Sequence, residues 1–258
     1  MKPQLITITP TEAKKYLSVN INNRYIKPQR VAMYAADMIN GKWLVNGECI
    51  KISSENVILD GQHRLLACIE SNIPFKTYVL NDLDPNVLPT IDQGVARTPG
   101  DIMHLYGIKN SVGIASSVKR YLWLKQGATS YQRKKSSFEL LDEYNSRPEY
   151  WQEYFHKAKA INEDINNVIT VTTLTAYLAF LSEYGDIETF FDLMTKFHNT
   201  PSALLLKVVT RARVARKKMP TNEFHVIIIK AFNAFITGKI LVQLYYRVGE
   251  LAPKIVSL

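Results

Sequence analysis

A small α/β domain followed by an all-helical domain is the architecture this sequence predicts, on three observations. Short β-type apolar runs alternate with helix-period segments up to about residue 80. Beyond Asp84-Pro85 those runs cease and one amphipathic helical stretch follows another. The chain of 258 residues is 47% hydrophobic and 21% charged, which suffices for one large core or two modest ones. The boundary is placed near residue 98: residues 1–98 form a small mixed sheet with flanking helices, and residues 99–258 a basic helical domain.

Leu5 to Thr9 has the pattern of a short strand. Thr9-Pro10-Thr11-Glu12 then supplies an N-cap threonine, a proline at the first helical position and a glutamate at N3. After Pro28, Val31, Tyr34, Ala35, Met38 and Ile39 recur at helical spacing and stop at Asn40-Gly41. Glu48 to Ser53 and Val57 to Leu59, separated by Ser-Ser-Glu-Asn, predict a hairpin ending at Asp60. Leu65, Leu66, Cys68 and Ile69 mark a helix broken at Asn72-Ile73-Pro74, before a strand from Phe75 to Leu80. Helices are then expected at about 99–107, 111–126, 137–145, 148–161, 171–184, 186–198, 201–218 and 222–237. Their aromatic residues, among them Trp123, Trp151, Phe190 and Phe232, are expected in the core.

Two cysteines, Cys49 and Cys68, make no disulfide framework and are expected as buried thiols. The histidines lack zinc-type spacing. No run approaches the roughly 18 apolar residues of a membrane span, and the start lacks a signal-peptide pattern. The expectation is a cytoplasmic protein without membrane contact. Residues 1–100 hold 11 basic against 9 acidic side chains, and residues 101–258 hold 21 against 14. The excess positive charge of the second part favours a polyanion, DNA above all.

Asp60-Gly61-Gln62-His63-Arg64 falls at a strand-to-helix turn. A glycine there lets backbone approach a ligand, and the first amides of a helix are ready anion donors. Arg64 can fork onto a phosphate and His63 offers a further donor. Asp60 beside phosphate either caps the loop amides or holds a divalent ion. The plainer alternative has Asp60 as a helix cap, His63 on the surface and Arg64 paired with an acid such as Glu70.

The stretch Leu59-Asp60-Gly61-Gln62-His63-Arg64-Leu65-Leu66-Ala67 resembles the Gly-x-x-Arg box of the ParB/sulfiredoxin superfamily. Asn23-Arg24 resembles its first box, Val31 to Met38 the helix after it, and Asn72 to Leu80 the closing helix-to-strand passage. The resemblance covers residues 5–98. It implies a bound nucleoside triphosphate, CTP or ATP with Mg2+, gripped by Arg24, Gly61, Gln62, His63 and Arg64. Sulfiredoxins carry a cysteine immediately before the His-Arg pair, where this chain has Gln62, so sulfiredoxin activity is excluded. The glutamate-asparagine box that follows this domain in partition proteins has no clear copy. Asp92-Gln93-Gly94-Val95-Ala96-Arg97-Thr98 takes its place and is similar to a segment of phage and bacterial ParB-like proteins, which adds Arg97 as a phosphate contact and Asp92 as a metal ligand.

In the helical part, Asp101 to Lys125 has the outline of a helix-turn-helix. Arg133, Lys134 and Lys135 form one basic cluster, close to Tyr131. Lys207, Arg211, Arg213, Arg216, Lys217 and Lys218 form a larger one, able to hold a phosphate backbone. The leading expectation is a nucleotide-binding, DNA-associated ParB-like protein of a phage, plasmid or mobile element, with a homodimer compatible. The first alternative is a metal-dependent phosphotransferase or nuclease using Asp60 and His63 catalytically, with Asp60 and Asp92 on the ion. The second is a protein-interaction module whose loop is inactive.

Overall fold

The computed structural model describes residues 3–19, 25–91, 97–127 and 135–256. The chain divides into two compact units, Met1–Ala96 with Arg133–Phe138, and Arg97–Gln132 with Glu139–Leu258.

In the first unit the order is β1 (Gln4–Ile8), α1 (Pro10–Ser18), α2 (Pro28–Ile39), β2 (Cys49–Ser53), β3 (Ile58–Asp60), α3 (Gln62–Ser71) and β4 (Phe75–Leu83), followed by a 3-10 turn at Pro85–Thr90. The four strands make one mixed sheet in the order β1-β4-β2-β3. β4 runs antiparallel to β1 and parallel to β2, while β2 and β3 form the antiparallel hairpin. The expected capping box is present: the Thr9 hydroxyl accepts from the Glu12 amide at 3.3 Å, and the Glu12 carboxylate accepts from the Thr9 amide at 2.7 Å. Gly41 ends α2 in the left-handed conformation, φ 65°, which a glycine adopts without a side-chain clash. Ile8, Val31, Met38, Ile50, Leu65 and Phe75 form the core. Cys68 lies within it, its thiol pushed up to about 11 by burial, whereas Cys49 is only half-buried at the start of β2, contrary to expectation.

The second unit is helical: α4 (Pro99–Leu105), α5 (Ser111–Lys125), α6 (Ser137–Ser146), α7 (Pro148–Asp164), α8 (Val171–Leu181), α9 (Ile187–Lys196), α10 (Pro201–Val214) and α11 (Thr221–Ile236). The first residues of α6 belong to the other unit. Apolar on nearly every face, α8 is the central helix, since such a helix has no side to offer to water. Trp151, Phe155, Phe190, Phe191 and Phe232 are buried as expected, and Trp123, Tyr150, Tyr154 and Phe235 pack against them. The helix expected to reach residue 218 ends at Val214, because Arg216 takes a left-handed conformation that no α-helix continues. No helix among the described residues is long and apolar enough to cross a membrane.

Candidate functional site

Strand β3 delivers Asp60 to the sheet edge facing Lys51 of β2, and the chain then turns through Gly61 into α3. Gly61 has φ 107°, a region that a side chain strongly disfavours. A Cβ there would lie 2.3 Å from Cδ1 of Ile50. The backbone conformation and the packing against Ile50 of β2 both favour glycine here, and Gly61 also lines a cavity of this unit. Gly61→Ala is expected to destabilise the protein by about 2 kcal/mol, through backbone strain and displacement of Ile50, as read from urea unfolding.

The polar side chains of the turn are all buried, with exposures of 7% for Asp60, 2% for Gln62, 2% for His63 and 8% for Arg64. Asp60 Oδ1 accepts from the Gly61 amide at 2.6 Å. Its Oδ2 lies 3.1 Å from Nη2 of Arg64 and 3.4 Å from Nζ of Lys51. Nη2 of Arg64 also donates to the Cys49 carbonyl at 2.6 Å. The acid that holds Arg64 is thus Asp60 rather than Glu70, and together they tie β2, β3 and α3. Among the described residues every side-chain hydrogen bond of Arg64 uses Nη2, and Nε and Nη1 make none there. Both Asp60 oxygens are engaged by a cation or an amide, so its carboxylate does not fit a divalent ion without the loss of those partners. Among the described residues no group of three or more His, Cys, Asp or Glu is placed to hold a metal.

His63 is buried, which rules out the surface position of the plainer alternative. Its Nε2 accepts from the Lys27 amide at 3.0 Å, so that the ring proton of the neutral form sits on Nδ1. Lys27 is the N-cap of α2, and His63 lies in the first turn of α3. This bond joins two helix N-termini. Neither helix carries an acidic residue in its first turn, although acids are favoured there by the helix dipole. The first turn of α2 instead presents Lys27 and Arg30.

A cavity of about 830 Å³ opens over this junction. Lys27, Arg30 and Tyr34 line it from α2, Trp43 and Glu48 from the segment before β2, and Lys76 and Thr77 from β4. Asp60, Gly61, His63 and Arg64 form another part of its lining. Lys27, Arg30 and Lys76 make no ion pair among the described residues. Trp43 is fixed edge-on between Tyr34 and Phe75, with ring centroids 5.5 and 5.6 Å away. No protein-family model, curated protein or solved structure matches this chain.

Four expected site residues, Arg24, Asp92, Arg133 and Lys134, lie outside the described residues, as does Tyr131. Lys135 belongs to the first unit and is half-buried. Arg97 is exposed at the start of the second unit. Thr98, read with it as part of a ligand segment, caps α4: its hydroxyl accepts from the Asp101 amide at 3.2 Å, and Asp101 accepts in return from the Thr98 amide at 2.7 Å. Arg213 donates to the carbonyls of Asn166 and Asn167. Sequence reading missed Lys27, Arg30, Trp43 and Lys76. The Lys27-Pro28 step was a usable signal, since proline at N1 places both cations where the dipole opposes them.

Proposed function

We infer that the first unit is a nucleotide-binding domain of the ParB/sulfiredoxin type, in a protein that associates with DNA. The observation that carries this reading is the convergence of two helix N-termini, both without first-turn acids, on one cavity bearing Lys27, Arg30, Lys76 and the partly committed Arg64. Amides and cations so arranged stabilise a polyphosphate, whose charge would also relieve the repulsion between Lys27 and Arg30 and the α2 dipole. Tyr34 and Trp43 give the cavity an aromatic wall suited to a base or sugar. Asp60 acts as a positioning residue for Arg64 and the Gly61 amide. That role favours binding over metal-dependent phosphotransfer or nuclease chemistry at this loop.

Calorimetric titration with ATP, CTP, GTP and UTP in the presence of Mg2+ tests the assignment. Arg30→Ala and Lys76→Ala remove cations that anchor no other side chain among the described residues, and each is expected to weaken binding about tenfold, the effect of losing one charged phosphate contact. Folded wild-type protein that binds none of the four would defeat the reading.

A further inference from the structure

The end of α10 combines dense positive charge with an unusual backbone choice. Helix ends that reverse direction close with a residue in the left-handed region, and that residue is ordinarily glycine or asparagine. This chain follows the rule at Gly41, Gly107, Asn166 and Gly238, with φ between 53 and 75°. At each, the next amide donates to a carbonyl in the last turn: Lys42 to Asp37, Ile108 to Met103, Asn167 to Asn162 and Lys239 to Ala234. The end of α10 has the same geometry, with Lys217 N–H donating to the Ala212 carbonyl at 2.9 Å and Arg216 N–H to Arg213 at 2.9 Å. Yet the left-handed residue, φ 51°, is Arg216.

A long β-carbon-bearing side chain is disfavoured at that position, so conformational preference does not account for the arginine. Nor does the helix dipole, which a cation in the last turn already satisfies: Arg211 and Arg213 lie there, and Arg213 donates to the Asn166 and Asn167 carbonyls. Lys207, Arg211, Arg216, Lys217 and Lys218 are all exposed and make no ion pair among the described residues. Lys207 and Arg211, four residues apart, share one helix face.

We propose that Lys207, Arg211, Arg216, Lys217 and Lys218 form a contact surface for the phosphate backbone of duplex DNA, with Arg216 retained in a disfavoured conformation for its charge. The inference rests on the DNA-association half of the reading above and gives it a location. Residues 207–218 contain no aromatic side chain on which an unpaired base could stack, which argues against single strands. The one large apolar side chain exposed among them is Val214, too little for a helix lying in a membrane surface. Backbone contacts of this kind confer affinity without sequence preference.

Fluorescence anisotropy with a mixed-sequence duplex, measured without nucleotide over a range of salt concentrations, tests it. For about four phosphate contacts, log Kd should rise with log salt at a slope of roughly 3 to 4. Lys207→Ala with Arg211→Ala should lower that slope by about 2 and weaken binding at least about tenfold. Arg216→Gly should lower it by about 1 while raising Tm by about 2 °C, as the strain is relieved. Nucleotide titrations of the same variants should be unchanged, since none of these residues lines the cavity of the first unit. Wild-type protein that binds no duplex, or binds anionic vesicles in its place, overturns both the surface and DNA association. Duplex binding with an unaltered salt slope in the variants overturns the surface alone. Arg216→Gly that gains stability and keeps the wild-type slope overturns the role given to Arg216.

Discussion

Arg64→Ala is expected to destabilise the protein by about 3–5 kcal/mol, the cost of leaving a buried carboxylate without its partner. Asp60 would keep Lys51 at 3.4 Å but lose the shorter contact, and the Cys49 carbonyl would lose its 2.6 Å donor. Urea unfolding followed by far-UV circular dichroism reads the effect as a shift of the midpoint. Replacing Asp60 and Arg64 together by Leu and Met should cost less than Arg64→Ala alone, since no buried carboxylate is then left without its arginine and the Lys51 cation that loses Asp60 is partly exposed to water. A double variant as unstable as the sum of two single losses would show that the pair is not the source of the effect.

That expectation changes how loss of ligand binding must be interpreted. An Arg64 variant that fails to bind a nucleotide has lost both a cavity N–H donor and the brace between β2 and α3. Arg30 and Lys76 brace no other side chain among the described residues, so binding measured in their variants reports on the cavity itself. Conversely, Arg64→Ala that stays fully stable would remove the brace and leave the arginine as a ligand contact only.

The elements were legible because their signals were local. Threonine, proline and glutamate at residues 9–12 sufficed for the α1 cap, and the apolar period of residues 31–39 for α2. The Asp60 turn was visible as a strand-to-helix glycine. Its internal pairing was not, because the partner of Asp60 across the hairpin is fixed by register, and the bulge between Lys51 and Ile52 has no sequence mark. The cavity escaped for a related reason. Lys27, Trp43 and Lys76 are far apart in sequence and meet only through the packing of α2, the segment before β2, and β4. Arg216 was counted as helical because charge does not reveal φ. A basic run following an apolar helix face reads the same whether it continues the helix or ends it.

In the helical unit, stability should fall as pH drops from about 6.5 to about 4, by on the order of 3 kcal/mol, and His225 is the group responsible. The ring is buried against Trp123, with centroids 5.6 Å apart, and its Nδ1 lies 3.1 Å from the Tyr177 hydroxyl. Burial holds its pKa down at about 4, because the imidazolium would lose its hydration there without gaining a carboxylate. The unfolded chain binds a proton at this site near pH 6.5 and the folded chain does not. The contribution is therefore complete above that pH and is lost as pH falls toward the folded value. The cap carboxylates Asp101 and Asp186, held below their ordinary range by Thr98 and Thr189, lose their contributions only at lower pH. Urea unfolding at about pH 7.5, 5.5 and 4.5 samples the His225 range before the carboxylates contribute, and His225→Gln should flatten it. A wild-type midpoint that stays constant between pH 7.5 and 4.5 would mean that the folded unit accepts the proton, and hence that water or an anionic group reaches the ring beside Tyr177.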